Sequence, residues 1–152
     1  MTNTQRLPIG FREPEARRVF QWIEAGASCS IVGVSGMGKS NLFRHLLDPD
    51  VQQSYLGERW PDLGFGEANV PALPDLTERS ICTLLLQGLS GLGGPAGGPQ
   101  VSPSVVAEIA EAQARLLDAG EDSLAIQHHF RSAIRSLMAT PERHLVFFLD
   151  QF

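Results

Sequence analysis

One stretch carries most of the functional information in this sequence, Gly33-Val34-Ser35-Gly36-Met37-Gly38-Lys39-Ser40. It matches the pattern G-x-x-x-x-G-K-[ST] at every fixed position. In that pattern the glycines turn successive backbone N–H groups inward, and the helix that begins here points its positive end at the same place. Lys39 adds a mobile positive charge, and the Ser40 hydroxyl can ligate Mg²⁺. The stretch therefore predicts a loop that binds nucleotide phosphates, lined by the residues from Gly33 to Asn41.

The residues on either side of this loop predict a strand before it and a helix after it. Residues 28–33 form a short apolar run with β-branched members, which indicates a buried strand. Leucine and phenylalanine side chains at helical spacing predict a helix over roughly 39–47, which Asp48-Pro49 ends. A strand, a glycine-rich turn and a helix in this order are the context that the motif requires.

Upstream and downstream of this unit, helices alternate with segments rich in glycine and proline. Residues 1–12 are predicted to be a lead-in, followed by an amphipathic helix over residues 14–26 that starts at a proline and stops at a glycine. Residues 57–75 are rich in both residue types, which predicts a loop with one short strand near residues 69–73.

Asp75 and Glu78, three residues apart, resemble a capping box that opens a further helix. We expect this helix to bury four apolar side chains, those of Leu76, Ile81, Leu84 and Leu85. Residues 87–100 contain six glycines and two prolines, a composition that is typical of a flexible linker.

The last third of the chain predicts two amphipathic helices and a strand. One helix lies between Pro103 and Gly120, and the other covers residues 126–138. Residues 144–150 form a continuous apolar run that ends in an acid, which is typical of a buried strand of a parallel sheet. Strands separated by helices predict an α/β fold, with a parallel sheet flanked by helices, in one domain over residues 1–152.

Asp150 lies at the C-terminal end of that last strand. A carboxylate at this position of a nucleotide-binding sheet lies beside the phosphate site, where it can hold Mg²⁺ through water. Because a phosphate loop is present upstream, we predict Ser40 and Asp150 as the magnesium-site residues and Lys39 and Asp150 as the catalytic ones. The alternative is an aspartate that merely starts a turn.

Composition excludes several other classes of protein. The chain has 152 residues, 43% of them hydrophobic, which is enough for the core of one domain. Its 12 basic residues against 17 acidic ones give a net charge of −5, which argues against a generally basic nucleic-acid coat. No run of about 18 apolar residues and no apolar leader are present, so we expect a cytoplasmic protein without a membrane partner. The absence of N-K-x-D, the guanine-reading element of GTPases, favours ATP.

Three segments of the chain resemble the ATPase module of STAND signalling proteins, which are relatives of AAA-type and replication-initiator ATPases. They are Phe20-Gln21-Trp22-Ile23-Glu24-Ala25-Gly26, the run from Cys29 through the glycine-rich loop to Leu42, and Leu149-Asp150-Gln151-Phe152. In that family a segment of the kind G-R-E-x-E packs near the adenine. Arg12-Glu13-Pro14-Glu15 is similar to it, with Phe11 where the glycine would be. The alternative for Arg12 is a solvated charge cluster at the start of a helix.

The resemblance implies an ATP-binding nucleotide-switch module of a larger signalling protein, which hydrolyses ATP by water attack on the γ-phosphate. Its partners would be ATP, other domains of the same chain and further copies of itself. In many relatives an acid follows the strand aspartate, and Gln151 stands there in this chain. A regulatory module that binds nucleotide without turnover therefore stays open. A replication-initiator-like, DNA-associated ATPase is a third alternative, but it would need a basic winged-helix or similar region, and none is visible in the sequence.

The same resemblance bears on the position of the last residue. In the family, a later strand lies between the phosphate-loop strand and the strand that ends in the aspartate. The sequence stops two residues after Asp150. We therefore expect the N-terminal part of a P-loop NTPase fold that is incomplete at its C-terminus. We also expect this segment, expressed alone, to be poorly soluble or weak in ATP binding.

Overall fold

A computed structural model describes residues 7–34, 36–90, 103–139 and 144–150. Within these ranges the chain forms, in order, α1 (Glu13–Glu24), α2 (Lys39–Leu46), α3 (Pro49–Leu56), β1 (Leu63–Asn69), α4 (Glu78–Ser90), α5 (Pro103–Asp118), α6 (Ser123–Leu137) and β2 (His144–Asp150). The chain divides into two compact units, Met1–Trp60 and Pro61–Phe152. None of the helices in the described ranges has the length and apolarity that crossing a bilayer requires.

The first unit contains α1, α2 and α3. The predicted helices over 14–26 and 39–47 are confirmed by α1 and α2. Pro14 lies in the first turn of α1, where its missing N–H costs nothing, and Gly26 follows the helix with a φ of 66°. The helix packs on α3, and the ring of Phe20 stacks on that of Tyr55 with centroids 5.0 Å apart.

Helix α3 was not expected from the sequence. The prediction that Asp48-Pro49 ends α2 is confirmed, but the same two residues also begin α3. The Asp48 side chain accepts a hydrogen bond of 3.0 Å from the Asp50 N–H, and Pro49 occupies the first helical position. A pair that stops one helix can therefore start the next, and buried Val51 and Leu56 hold the new helix in place.

The predicted buried strand over 28–33 is wrong. Residues 27–34 have no regular secondary structure, and their side chains are exposed, with Val32 at 89% of its full accessibility. An apolar β-branched run forms a strand only where a neighbouring strand pairs with its backbone and other side chains cover it. The described residues of the first unit contain no strand that could do so.

The second unit holds a two-stranded parallel sheet. β1 pairs with β2 from Leu63 opposite His144 to Asn69 opposite Asp150. The predicted strand over 144–150, its parallel pairing and the α/β class are thereby confirmed. Its predicted burial is wrong for most of its length, because only Phe148 is buried among residues 144–149 and Leu149 is 49% exposed. The short strand predicted near residues 69–73 is misplaced. The strand of this region is β1, which ends at Asn69, and Val70–Ala72 forms a short 3₁₀ turn.

The helices of the second unit pack beside this sheet. α4 contacts β1, and α5 and α6 pack on α4 and on each other, which confirms both helices predicted in the last third of the chain. The common core contains the buried residues Leu86, Leu89, Ile109, Ala112, Leu116, Ile126, Ala133 and Leu137. Leu145 and Phe147 of β2 pack against the same core, so one face of the sheet is covered by helices.

The beginning and the buried face of α4 differ from the prediction. Thr77, not Asp75, caps the helix, because its hydroxyl accepts a hydrogen bond of 3.3 Å from the Ser80 N–H. Asp75 supports this cap by accepting hydrogen bonds from the side chains of Thr77 and Ser80. Leu76 is therefore outside the helix and 70% exposed. The fully buried side chains of α4 are Leu86 and Leu89, whereas Ile81 is exposed and Leu84 and Leu85 are half-buried.

The predicted linker over 87–100 is corrected at its start, because α4 continues through Ser90. The remainder of that range, residues 91–100, lies outside the described residues. Gly88 is inside the helix, where glycine is unfavourable by propensity alone. Its place is explained by the backbone of β1, which passes so close that no side chain fits.

The Glu78 carboxylate joins the start of α4 to α6. It accepts hydrogen bonds from the Ser123 hydroxyl and, at 2.9 Å, from the Gln127 amide. These bonds, the one from Ser123 first, hold the pKa of Glu78 below its ordinary value. A lowered folded-state pKa stabilises the fold above the unfolded-state pKa of about 4.3, and this stabilisation disappears as the pH falls through the folded-state value.

We expect Glu78→Gln to lower the midpoint of thermal unfolding at pH 7, with a deficit that shrinks as the pH falls below about 4. The measurement is circular dichroism during heating, between pH 7 and pH 3. Glu121→Gln, at an exposed glutamate of the same unit, is the matched control. An equal deficit for Glu78→Gln at both ends of this pH range would contradict the assignment.

Candidate functional site

The glycine-rich loop has the backbone conformation that the motif predicts. Gly36 and Gly38 have φ values of 83° and 76°, a left-handed conformation that side chains with a Cβ disfavour. The Met37 N–H donates to the Val34 carbonyl at 3.4 Å, which closes a turn. Ser35 lies outside the described residues.

Helix α2 begins directly after this turn, with Lys39 as its first residue and Gly38 at the capping position. Glycine has no side chain to cap a helix, and no side-chain hydrogen bond caps α2. The first backbone N–H groups of a helix have no partners within it, and they carry the positive end of the helix dipole. The start of α2 therefore offers donors and positive potential to an anion.

Lys39 bends back over the loop. Its ammonium donates to the carbonyl oxygens of Gly33 and Val34, the second at 3.0 Å. Lys39 is also the only lysine among the 152 residues. The positive charge of the motif is thus held at the mouth of the loop by backbone acceptors, which leaves it within reach of an anion placed there.

Ser40 and Asn41 lie in the first turn of α2, and both are exposed. The hydroxyl of Ser40 follows Lys39 directly, as the predicted metal-ligating role requires. The Asn41 side chain accepts a hydrogen bond from Arg44 one turn later. The described residues predicted around the phosphates, from Gly33 to Asn41, therefore lie together at one end of α2.

Arg12 reaches the loop from the start of α1. Its guanidinium donates a hydrogen bond to the Met37 carbonyl, and it also lies 3.7 Å from the Glu15 carboxylate. The sequence predicts for Arg12 either a position near the adenine or a place in a charge cluster at the helix start. The structure shows Arg12 in that charge cluster and in contact with the glycine-rich loop. The contact joins residues 25 positions apart, and no spacing rule predicts it.

A cleft of about 530 Å³ opens between α1 and the loop. Apolar side chains on α1 and in the segment before the loop form much of its lining, namely Val19, Trp22, Ile31 and Val32. Arg12, Glu15, Arg18 and Lys39 add charged groups. Trp22 is 47% exposed on this cleft. Mostly apolar walls with a few polar groups are typical of small-molecule sites of this size.

Asp150 ends β2 with its Cα opposite Asn69, so the two residues share the carboxyl edge of the sheet. This edge belongs to the second unit, whereas the loop belongs to the first. Joint action of Asp150 and the loop stays a prediction. Among the described residues, no group of three or more His, Cys, Asp or Glu side chains is arranged to hold a metal ion.

The chain was compared with protein-family models, curated proteins and solved structures. No protein-family model, curated protein or solved structure matches the chain. The resemblance to STAND ATPases, the P-loop NTPase fold and the roles of the site residues therefore stay predictions, and the geometry around the loop is the basis for a functional proposal.

Proposed function

We propose that the chain binds ATP, with the glycine-rich loop around the phosphates and the base in the cleft beside α1. The observation that carries this proposal is a convergence at one place. The left-handed turn at Gly36 and Gly38, the uncapped start of α2 and the Lys39 ammonium meet at the end of that cleft. In this proposal the chain has a P-loop NTPase fold and acts as the nucleotide switch of a larger STAND-like signalling protein, with other domains and further copies as partners.

The phosphate end of the proposed site rests on electrostatics. A nucleoside triphosphate carries several negative charges. Backbone N–H groups at the start of a helix bind such anions, because they have no partners within the helix and carry the positive end of its dipole. Lys39 would exchange its bonds with the Gly33 and Val34 carbonyls for bonds with phosphate oxygens. A charged donor prefers the phosphate, since hydrogen bonds between two charged groups are the stronger kind.

The base end rests on the lining of the cleft. Trp22 offers an exposed aromatic face, and Val19 and Ile31 supply apolar walls beside it. Stacking on an aromatic side chain is worth about 1–3 kcal/mol for a base. Since the sequence lacks N-K-x-D, the guanine-reading element, we favour adenine in this position.

In this proposal Mg²⁺ binds at the start of α2, where the Ser40 hydroxyl is exposed next to Lys39 and can supply one oxygen ligand. Ser40, and Asp150 if the two units bring it there, would hold the ion together with phosphate oxygens. When bound, the ion neutralises phosphate charge and lowers the barrier to hydrolysis. A regulatory module without turnover is the second candidate, because Gln151 stands where many STAND ATPases, the proteins that the chain resembles, have an acid.

The test is calorimetric titration of the chain with Mg-ATP and with Mg-GTP. We expect saturable binding of ATP, and about tenfold weaker binding by Trp22→Ala because the stacking surface is lost. Trp60→Phe is the control, since Trp60 donates to Gln52 and does not line the cleft. Absence of saturable ATP binding overturns the proposed function. Unchanged binding by Trp22→Ala places the base elsewhere.

A further inference from the structure

The side chain of Arg12 extends from the residue before α1 to the last turn of the glycine-rich loop. Its Nη2 atom donates to the Met37 carbonyl, and the same atom would lie 3.8 Å from a Cβ added to Gly38. The guanidinium is therefore placed against the peptide unit that joins Met37 to Gly38. That peptide directly precedes Lys39, the first residue of α2.

This contact fixes which way the peptide faces. In a planar trans peptide the carbonyl of one residue and the N–H of the next point in opposite directions. With the Met37 carbonyl held by Arg12, the Gly38 N–H points away from Arg12. A left-handed glycine such as Gly38, with a φ of 76°, has unusual backbone freedom, so an external hydrogen bond has a large effect on its orientation.

The segment that carries Arg12 is itself attached to α2. The buried His45 ring lies with Nε2 3.2 Å from the Ile9 carbonyl, and the ring of Phe11 packs edge-on against it with centroids 5.4 Å apart. The Phe11 N–H donates to the Pro8 carbonyl at 2.8 Å, which closes a turn before Arg12. The segment from Pro8 to Arg12 thus bridges the end of α2 and the loop that precedes α2.

The backbone of Arg12 supports the same interpretation. Its φ of 47° is the only left-handed value of a non-glycine residue in the described ranges. That conformation costs roughly 1 kcal/mol for a residue with a Cβ, and it is kept where surrounding contacts compensate. Arg12 gains such contacts with the Met37 carbonyl and Glu15.

We propose that Arg12 is a positioning residue of the phosphate loop, which fixes the orientation of the Met37–Gly38 peptide and so presents the Gly38 N–H to a phosphate on the side of the loop away from Arg12. This inference rests on the proposed function, because it assigns Arg12 to the ATP site without contact with the phosphates. The contact is a charge-assisted hydrogen bond to a backbone oxygen, a kind that contributes more than a neutral one.

The first measurement needs no nucleotide. Amide hydrogen exchange by mass spectrometry is followed over residues 33–42 in the full chain, in Arg12→Ala and in Arg12→Gly. We expect the hydrogen-bonded amides of this segment, those of Met37 and Leu42, to exchange at least about tenfold faster in both variants, from the loss of one charged hydrogen bond that holds the turn. Arg12→Gly removes the side chain without a strained backbone, since glycine accepts a positive φ. Peptides of α4 serve as an internal reference that should not change.

The second measurement is Mg-ATP affinity in the same variants. We expect about tenfold weaker binding for Arg12→Ala and Arg12→Gly, and partial recovery in Arg12→Lys, whose ammonium can reach a carbonyl but lacks the fork of donors. Arg17→Ala is the matched control, because Arg17 lies on α1 five residues after Arg12 and pairs with Glu13 instead of the loop. We expect this control to bind ATP as the unchanged chain does.

The outcomes separate the inference from the function on which it rests. If the chain binds ATP and both Arg12 truncations bind it equally well with unchanged exchange, the positioning role is wrong and the proposed function stands. If the unchanged chain binds no ATP, the proposed function fails, and the role of Arg12 at an ATP site fails with it. Faster exchange, weaker binding and rescue by lysine together support the inference.

Discussion

Lys39→Ala is expected to weaken Mg-ATP binding by at least about 100-fold, which corresponds to roughly 2.7 kcal/mol. Lys39 is the only lysine in the chain, and its ammonium lies within hydrogen-bond distance of two loop carbonyls. Two unit charges about 4 Å apart near a protein surface interact by about 4 kcal/mol, so the loss of one removes a large share of phosphate affinity. The variant also loses the two hydrogen bonds that join Lys39 to Gly33 and Val34.

The experiment compares Lys39→Ala with Arg59→Ala by calorimetric titration. Arg59 carries the same charge in the same unit but donates to the Glu24 carbonyl, away from the loop. If the loss of one positive charge from the unit were the cause, both variants would bind Mg-ATP equally weakly. If the loop holds the phosphates, only Lys39→Ala binds Mg-ATP more weakly. Undiminished binding of Mg-ATP by Lys39→Ala would show that the loop does not hold the phosphates.

The single lysine also permits a direct readout. An amine-reactive acylating reagent modifies only Lys39 and the chain's α-amino group, and peptide mass mapping distinguishes the two. We expect Mg-ATP to protect Lys39 while the α-amino group reacts at an unchanged rate. Equal labelling of Lys39 with and without saturating Mg-ATP would contradict direct contact between this side chain and the phosphates.

The helices show what a sequence can predict on its own. Most of them were located correctly, because proline, glycine and apolar spacing mark their ends and faces within a few residues. α3 is not predicted, because Asp48-Pro49 was interpreted only as the end of α2. The same two residues are also a favourable N-terminus for a new helix. Information of this kind is local, so local patterns recover most of it.

Strands and clefts depend on partners that are distant in sequence. Residues 28–33 have the composition of a buried strand and yet are exposed, since pairing and not composition makes a strand. The loop residues of the site were predicted because one motif fixes them all. The contact of Arg12 with Met37 and the cleft beside Trp22 were not predicted. Each brings residues at or in α1 together with residues of the loop or the segment before it, and no repeating pattern in the sequence relates the two.

Gly88 is a case in which the same local rules mislead. It lies in a run of glycine and proline that indicates a linker, and it is in fact part of α4. A Cβ at this position would lie 2.2 Å from the Glu67 carbonyl oxygen and 3.0 Å from the Glu67 carbonyl carbon, both backbone atoms of β1. Glycine is therefore required here by close approach of a helix to a strand, which no propensity scale contains.

We expect Gly88→Ala to reduce the free energy of unfolding by about 2–3 kcal/mol. Alanine favours a helix by roughly 1 kcal/mol over glycine, so propensity alone predicts stabilisation. The clash outweighs this gain, because relieving it requires α4 to move off β1 and to loosen Leu86 and Leu89, which are fully buried. Urea unfolding followed by circular dichroism measures the difference.

Gly66→Ala is the matched comparison, at a buried glycine of β1 that faces α4. A Cβ there meets the Leu89 side chain at 3.0 Å and the Phe147 ring at 3.2 Å, and the leucine tip can rotate away. We expect a smaller loss than at Gly88, because side chains yield where backbone does not. If Gly88→Ala were instead as stable as the unchanged chain, the packing of α4 on β1 would be looser than described. The ranking of the two variants thus tests whether the helix and the strand meet backbone to backbone.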